Sequence, residues 1–238
     1  MKDQKIFLTA EWKDILMLNY AIDPRLLEPF VPRGTELDDF DGVTYLSLVG
    51  FKFKRTCLLG LPVPLHQCFE EVNVRFYVRR ASKRGVVFIR ELVPKHAVAA
   101  VARIVFNEKY SYAPMSHRVE ARAKENVVEA EYSWGSGRDR SMMRIETEGK
   151  SYIAPEGSAT QFITEHYWGY AAQRDGGCLE YEVRHPQWNV TNAKEAGCSG
   201  NAAAFYGSDI AECLMRNPDS AFLAEGSQVT VFRGTRIS

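Results

Sequence analysis

Four polar side chains of different chemistry fall on one face of a single strand-like segment. FEEVNVRFYVRR (69–80) alternates strictly, with Val72, Val74, Phe76 and Val78 on one side. A period of two puts Glu71, Asn73, Arg75 and Tyr77 side by side on the other. Glutamate can serve as acid or base, arginine is a fixed cation that grips carboxylates with a planar fork, and asparagine and tyrosine add neutral hydrogen bonds. A strand with one apolar face ordinarily turns the other to water, but a solvated face more often carries Lys, Glu, Ser and Thr. The mixture here favours a strand in a barrel wall whose polar face lines a cavity and holds a polar ligand.

The histidines are His66, His96, His117, His166 and His185, and none forms an HxH or HExxH pattern. His66-x-Cys68-x-x-Glu71 matches no established ligand spacing, so no metal site is expected. His185 shares a strand face with Leu179, Tyr181 and Val183, and Trp188 follows closely. Glu165-His166-Tyr167-Trp168 brings a second histidine with two aromatics. Aromatic core packing is the simpler reading of either segment alone; together they would roof a pocket. No GxSxG, P-loop or dinucleotide fingerprint occurs, so no cofactor is expected. Gly135-Ser-Gly137-Arg-Asp-Arg140 reads as a hairpin loop, and Arg79, Arg80, Lys83 and Arg84 as a solvated hairpin tip.

The elements that must carry these residues are mostly strands. VTYLSLVGFKF (43–53) is β-branched and aromatic, 69–92 reads as a β-hairpin turning at SKRG (82–85), and further antiparallel strands are expected within 117–134 and at 141–149, 178–185 and 228–234. Helices are few: 23–30 after Asp23-Pro24, 94–106 from Pro94, 158–168 with Ser158 and Gln161 in capping-box spacing, and a weaker 209–216. Many antiparallel strands with few short helices define an α+β, barrel-like fold.

Composition sets outer bounds. The chain has 238 residues, 45% hydrophobic and 25% charged, enough for one domain with a sizeable core. Thirty basic residues balance thirty acidic ones, which argues against a nucleic-acid or anionic-membrane partner. AVAAVARIVF (97–106) is too short to span a bilayer and carries Arg103. The N-terminus lacks a signal-peptide core, and five cysteines without a CxxC read as free thiols in a reducing cytoplasm.

Three stretches carry a family likeness. LMLNYAIDPRLLEPFVPRGTELDDFDGVTYLSLVGFKF (16–53), LGLPVPLHQCFEEVNVRFYV (59–78), and EHYWGY with RHPQW (165–170, 184–188) resemble the uncharacterised YqjF-like family of bacterial proteins, a family of unknown function related to acetoacetate decarboxylase. The resemblance implies one acetoacetate-decarboxylase-like domain over residues 1–238, mainly antiparallel β around a central cavity. The enzyme that names that superfamily uses a Schiff-base lysine in Gly-x-Pro-Lys-Lys and a glutamate in Tyr-x-Glu. Phe69-Glu70-Glu71 resembles the latter, which makes Glu71 the glutamate. Ungapped from helix 94–106, Tyr110 falls at the lysine position and Lys109 at the proline before it. A one-residue slip in an extended segment turns the side chain to the opposite face, so Lys109 reaches the cavity only if the register shifts.

The expected site therefore joins Glu71 as acid or base, Tyr110 as donor to an oxyanion and Lys109 as the displaced lysine. Arg75, Tyr77, Asn73, Met115, His185 and Trp188 complete it as ligand-binding walls. The expected partner is a small organic acid or ketone, turned over or merely bound. Ring-like assemblies occur in the enzyme that names the superfamily, so a homo-oligomer is among the states open to this chain.

Overall fold

The structure is a computed structural model describing residues 5–100, 107, 109–122 and 127–237. Its first strands are β1 (Ile6–Ala21), β2 (Glu36–Leu37), β3 (Tyr45–Leu58), β4 (Leu61–Pro62), β5 (Phe69–Arg80) and β6 (Lys83–Val93). Then come β7 (Tyr110–Tyr112), β8 (Met115–Arg122), β9 (Val127–Trp134), β10 (Ser141–Thr147) and β11 (Tyr152–Ile153). The last are β12 (Trp168–Ala172), β13 (Cys178–Arg184), β14 (Asn189–Gly200), β15 (Ser220–Ala224), β16 (Gln228–Phe232) and β17 (Thr235–Ile237). Helix α1 is described over 96–100; α2 (Ala159–Thr164), α3 (Ala203–Tyr206) and α4 (Ser208–Leu214) are short. Among the described residues no helix is long and apolar enough to cross a membrane.

Among the described residues, seven strands close into a barrel in the order β1, β3, β5, β6, β12, β13, β16 and back to β1. Every pairing is antiparallel except β6 with β12. Closure removes the exposed edges that an open sheet leaves. The β6–β12 pairing covers only Gly85 and Val86, and higher on the same strand β7 takes over, pairing in parallel with Glu91–Val93. That handover places Tyr110 beside Glu91.

A second sheet, β8–β9–β10–β14, packs on the outside of the barrel. Its Tyr132, Trp134, Met143 and Ile145 meet Leu16 and Leu18 of β1, Leu46 and Leu48 of β3, and Val72, Val74 and Phe76 of β5. Each such side chain taken fully out of water contributes on the order of 1.5–3 kcal/mol. Gly50 of β3 sits where the layers come closest: a Cβ there would lie 2.9 Å from the Tyr132 ring and from Met143 Sδ. A different set faces inward, including Ile15, Met17, Val49, Phe51, Phe53 and Phe69.

Several expectations need adjusting. Residues 23–30 form two 3-10 turns, Pro24–Leu26 and Glu28–Phe30, the first capped by the Asp23 side chain. The capping box at Ser158 holds, with Oγ accepting from Gln161 N, but the helix ends at Thr164 because Trp168 is already needed in β12. Of helix 94–106, residues 101–106 lie outside the described residues. The hairpin turns at 81–82, with Ala81 at φ 52°, and not at 82–85. Its basic tip is not simply solvated: Arg79, Lys83 and Arg84 pair with Glu36, Glu180 and Asp38.

Candidate active site

The inward faces of the barrel strands line a partly open cavity of about 220 Å³. Glu71, Asn73 and Arg75 project into it from β5, as the alternation of that strand requires. Glu91 enters from β6, directly opposite Asn73 in the ladder. Uninterrupted alternation from Val86 and Phe88 would have turned Arg90 inward. The register breaks between Val74 and Arg75, where Val74 faces Arg90 and Arg75 faces Phe88. This bulge at Ile89 reverses the parity and brings Glu91 in. The same device acts in β1: Asp14, at φ 55°, breaks the register, so that both Trp12 and Ile15 line the cavity.

The polar groups converge at one place. Tyr110 Oη donates to Glu71 Oε2 at 2.8 Å, and Asn73 Nδ2 donates to Glu71 Oε1 at 2.9 Å. Burial raises the Glu71 carboxyl to about 7, against the opposing pull of those two donors and of the Arg75 charge. Burial, then the Glu71 and Glu91 charges, pushes the Tyr110 phenol well above its ordinary value, so it stays a donor at neutral pH. Arg75 gives Nη2 to the Ile163 carbonyl at 3.1 Å, while its Nε is buried with no hydrogen-bond partner. Asn73 Oδ1 is a buried acceptor in the same condition. A carboxyl that titrates near neutrality, a cation with an unspent N–H and a fixed phenol donor can together bind an anionic or carbonyl group and exchange a proton with it.

Three imidazoles, His66, His166 and His185, also line the cavity. His166 is buried, and burial, reinforced by the Arg75 and Arg84 charges, holds it well below its ordinary value. Burial also lowers His185, against the pull of the Pro186 carbonyl. That carbonyl lies 2.9 Å from His185 Nδ1, which must be the donor, leaving Nε2 with its lone pair in the neutral ring. His185 stacks on Trp188 with centroids 4.2 Å apart, and both line the cavity.

Of the residues singled out from the sequence, Glu71, Asn73, Arg75, Tyr110, His185 and Trp188 all line this cavity. Three do not. Tyr77 shares the inward face of β5 but lies one step too deep: its ring stacks on His166 at 4.6 Å and its hydroxyl meets Ser47 Oγ at 2.6 Å. It supports the cavity wall from behind. Met115 packs into the core between the barrel and the second sheet. Lys109 is exposed on the far face of its segment, its Nζ 4.8 Å from the centre of the Phe30 ring, while Tyr110 points in. Glu91 and Trp12 were missed: 85–92 was read as a strand without an inward face, 6–21 was not read as a strand, and a bulge has no signature in plain alternation.

This architecture belongs to a known fold. It superposes on acetoacetate decarboxylase from Legionella pneumophila with a TM-score of 0.72 over 98% of this chain and 87% of that one, at 12% identity. The enduracididine biosynthesis enzyme MppR in complex with pyruvate gives 0.70 over 100% and 92%, at 11% identity. An acetoacetate decarboxylase-like enzyme from Sphingomonas wittichii gives 0.68 over 97% and 93%, at 12% identity. The chain is thus an acetoacetate-decarboxylase-like barrel. By sequence, residues 9–228 match the DUF2071 family, described as "Uncharacterized conserved protein", and the chain belongs to that family. It is 28% identical over 186 residues to the uncharacterized protein YqjF of Bacillus subtilis, spanning 77% of this chain and 74% of that protein.

Proposed function

We propose that this protein is an enzyme of a reducing cytoplasm that acts as one domain on a small organic acid or ketone inside the barrel. The observation that carries this reading is the meeting of Glu71, Tyr110 and Arg75 in one largely apolar cavity. Arg75 binds the carboxylate. Glu71, with its carboxyl raised to about 7, takes a proton from the carbon beside the carbonyl and returns it. As the C–H bond breaks, its electron pair forms the new C=C bond and the carbonyl π pair moves to oxygen, where an Arg75 N–H donates to the growing charge; the Tyr110 O–H holds the Glu71 carboxylate in place and is released to the oxyanion once Glu71 carries the proton.

Schiff-base chemistry is not part of this reading. A phenol forms no imine, and Lys109 is turned away over Phe30. Borohydride added with a keto acid is expected to leave Lys109 unmodified by peptide mapping; a stoichiometric adduct there, lost in Lys109→Arg, would restore the decarboxylase mechanism. The proton-transfer step is tested by pyruvate in D2O. Catalysed exchange of its methyl protons, abolished in Glu71→Gln with binding retained, supports the enzyme. Binding without exchange favours the second reading, a non-catalytic small-molecule-binding protein on the same scaffold.

A further inference from the structure

The cavity is divided in kind. Hydrogen-bonded polar groups gather around Glu71, and most of the remaining wall is apolar, in part aliphatic, with Met17, Val49 and Val231, and in part a cluster of rings. Trp12 lies 5.1 Å from Phe51 and 6.2 Å from Trp188, centroid to centroid. Phe51 lies 5.2 Å from Phe53, which stacks on Phe69 at 4.6 Å. All of these rings line the cavity, together with Phe88.

Size adds a second constraint. A dry apolar cavity of about 150 Å³ suffices for benzene, and one water occupies about 30 Å³ of liquid. The cavity here measures about 220 Å³. A ring therefore fits with space left for roughly two further water-sized groups, the bulk of a carboxylate and an adjoining carbonyl. Charge fixes the other end. Arg75 is the lone arginine or lysine among the described lining residues, and its Nε–H is buried without a partner.

We infer that the ligand is an oxo acid carrying a ring-sized apolar group, its carboxylate on Arg75 and its ring against Trp12, Phe51, Phe53 and Trp188. This rests on the acid-or-ketone reading above and adds to it the apolar half of the molecule. Aromatic edges and faces at these separations favour a flat ring over a branched chain of equal volume.

The test is calorimetric titration of the full chain with pyruvate, phenylpyruvate and the neutral ketone phenylacetone. Burial of one ring is expected to make phenylpyruvate bind about 10- to 100-fold tighter than pyruvate. Phenylpyruvate is also expected to lose most of its affinity in Arg75→Ala, while phenylacetone loses none. Equal affinities for pyruvate and phenylpyruvate, both dependent on Arg75, would overturn the ring inference and leave the acid reading standing. Tight phenylacetone binding that matches phenylpyruvate would overturn the acid and leave the ring. Failure of all three to bind would remove both. Because the comparison of ligands is made in the unaltered protein, it survives a poorly folding variant.

Discussion

Glu70 and Glu71 are chain neighbours with opposite fates. Glu70 points out of the barrel into the seam below the second sheet, where its Oε1 accepts from His117 Nδ1 at 2.7 Å. Lys52 Nζ completes that cluster, 3.0 Å from His117 Nε2. All three side chains keep partial contact with water. Glu71 points inward, is 2% exposed, and meets only neutral donors at its two oxygens. The pleat of one strand thus sends one carboxylate to join two layers and the next into the cavity, where proton transfer is proposed. The lesson is that burial by itself does not mark the site, since both faces of β5 are buried. What marks it is burial of ionisable groups whose hydrogen-bonding capacity is not exhausted by the fold.

The sharpest way to break this contrast is to remove the interior cation. Arg75→Ala is expected to weaken binding of a carboxylate ligand by about 2–5 kcal/mol, because the bound charge loses its partner in an apolar wall. Calorimetry reads this directly, and an unchanged affinity would make Arg75 a purely structural residue tied to Ile163.

Next in size is the effect of Glu71 on stability. Its folded carboxyl titrates near 7 against an ordinary 4.5. Between those values the folded state holds a proton that the unfolded chain has released, so stability falls as pH rises through this window and stays lower above it. The loss amounts to about 3 kcal/mol for a shift of this size. Glu71→Gln keeps the shape and removes the charge. Urea midpoints at pH 4.5 and 8 should show that this variant gains on the wild type at pH 8 by about that amount and little at pH 4.5. Equal pH profiles for wild type and Glu71→Gln would remove the distinction between the two glutamates.

The third prediction concerns the seam. Gly50→Val would drive a branched side chain into the Tyr132 ring and Met143. Overpacking of this kind costs about 1–3 kcal/mol. Because the new side chain points away from the cavity, thermal unfolding should shift down while ligand affinity holds. A change in affinity without a loss of stability would mean that the two layers are coupled through β3.

Much of this was legible beforehand because β5 is regular. Its twelve residues fall where the alternation of Val72, Val74, Phe76 and Val78 put them, and the inward row Glu71, Asn73, Arg75 follows from the pleat alone. The limit of that reasoning is depth: Tyr77 obeys the same alternation yet lies behind His166, since parity gives a face and not a height along the barrel. Elsewhere no face was read: 6–21 was not recognised as a strand and 85–92 was given no inward side, and the bulges at Asp14 and Ile89 are what bring Trp12 and Glu91 in. Strand β14 was hidden for another reason. Its TNAKEAGCSG portion (191–200) has little β propensity and is held in the sheet by its ladder to β10.

The most direct test of an interior proton-transfer and acid-binding site is a pH titration of the side-chain carboxyl carbons by NMR, with and without pyruvate. One glutamate resonance, absent from Glu71→Gln, should titrate near 7 in the free protein and move higher when the anionic ligand is bound, because a like charge disfavours ionisation. A Glu71 carboxyl that titrates near 4.5 and ignores added pyruvate would contradict the site proposed here.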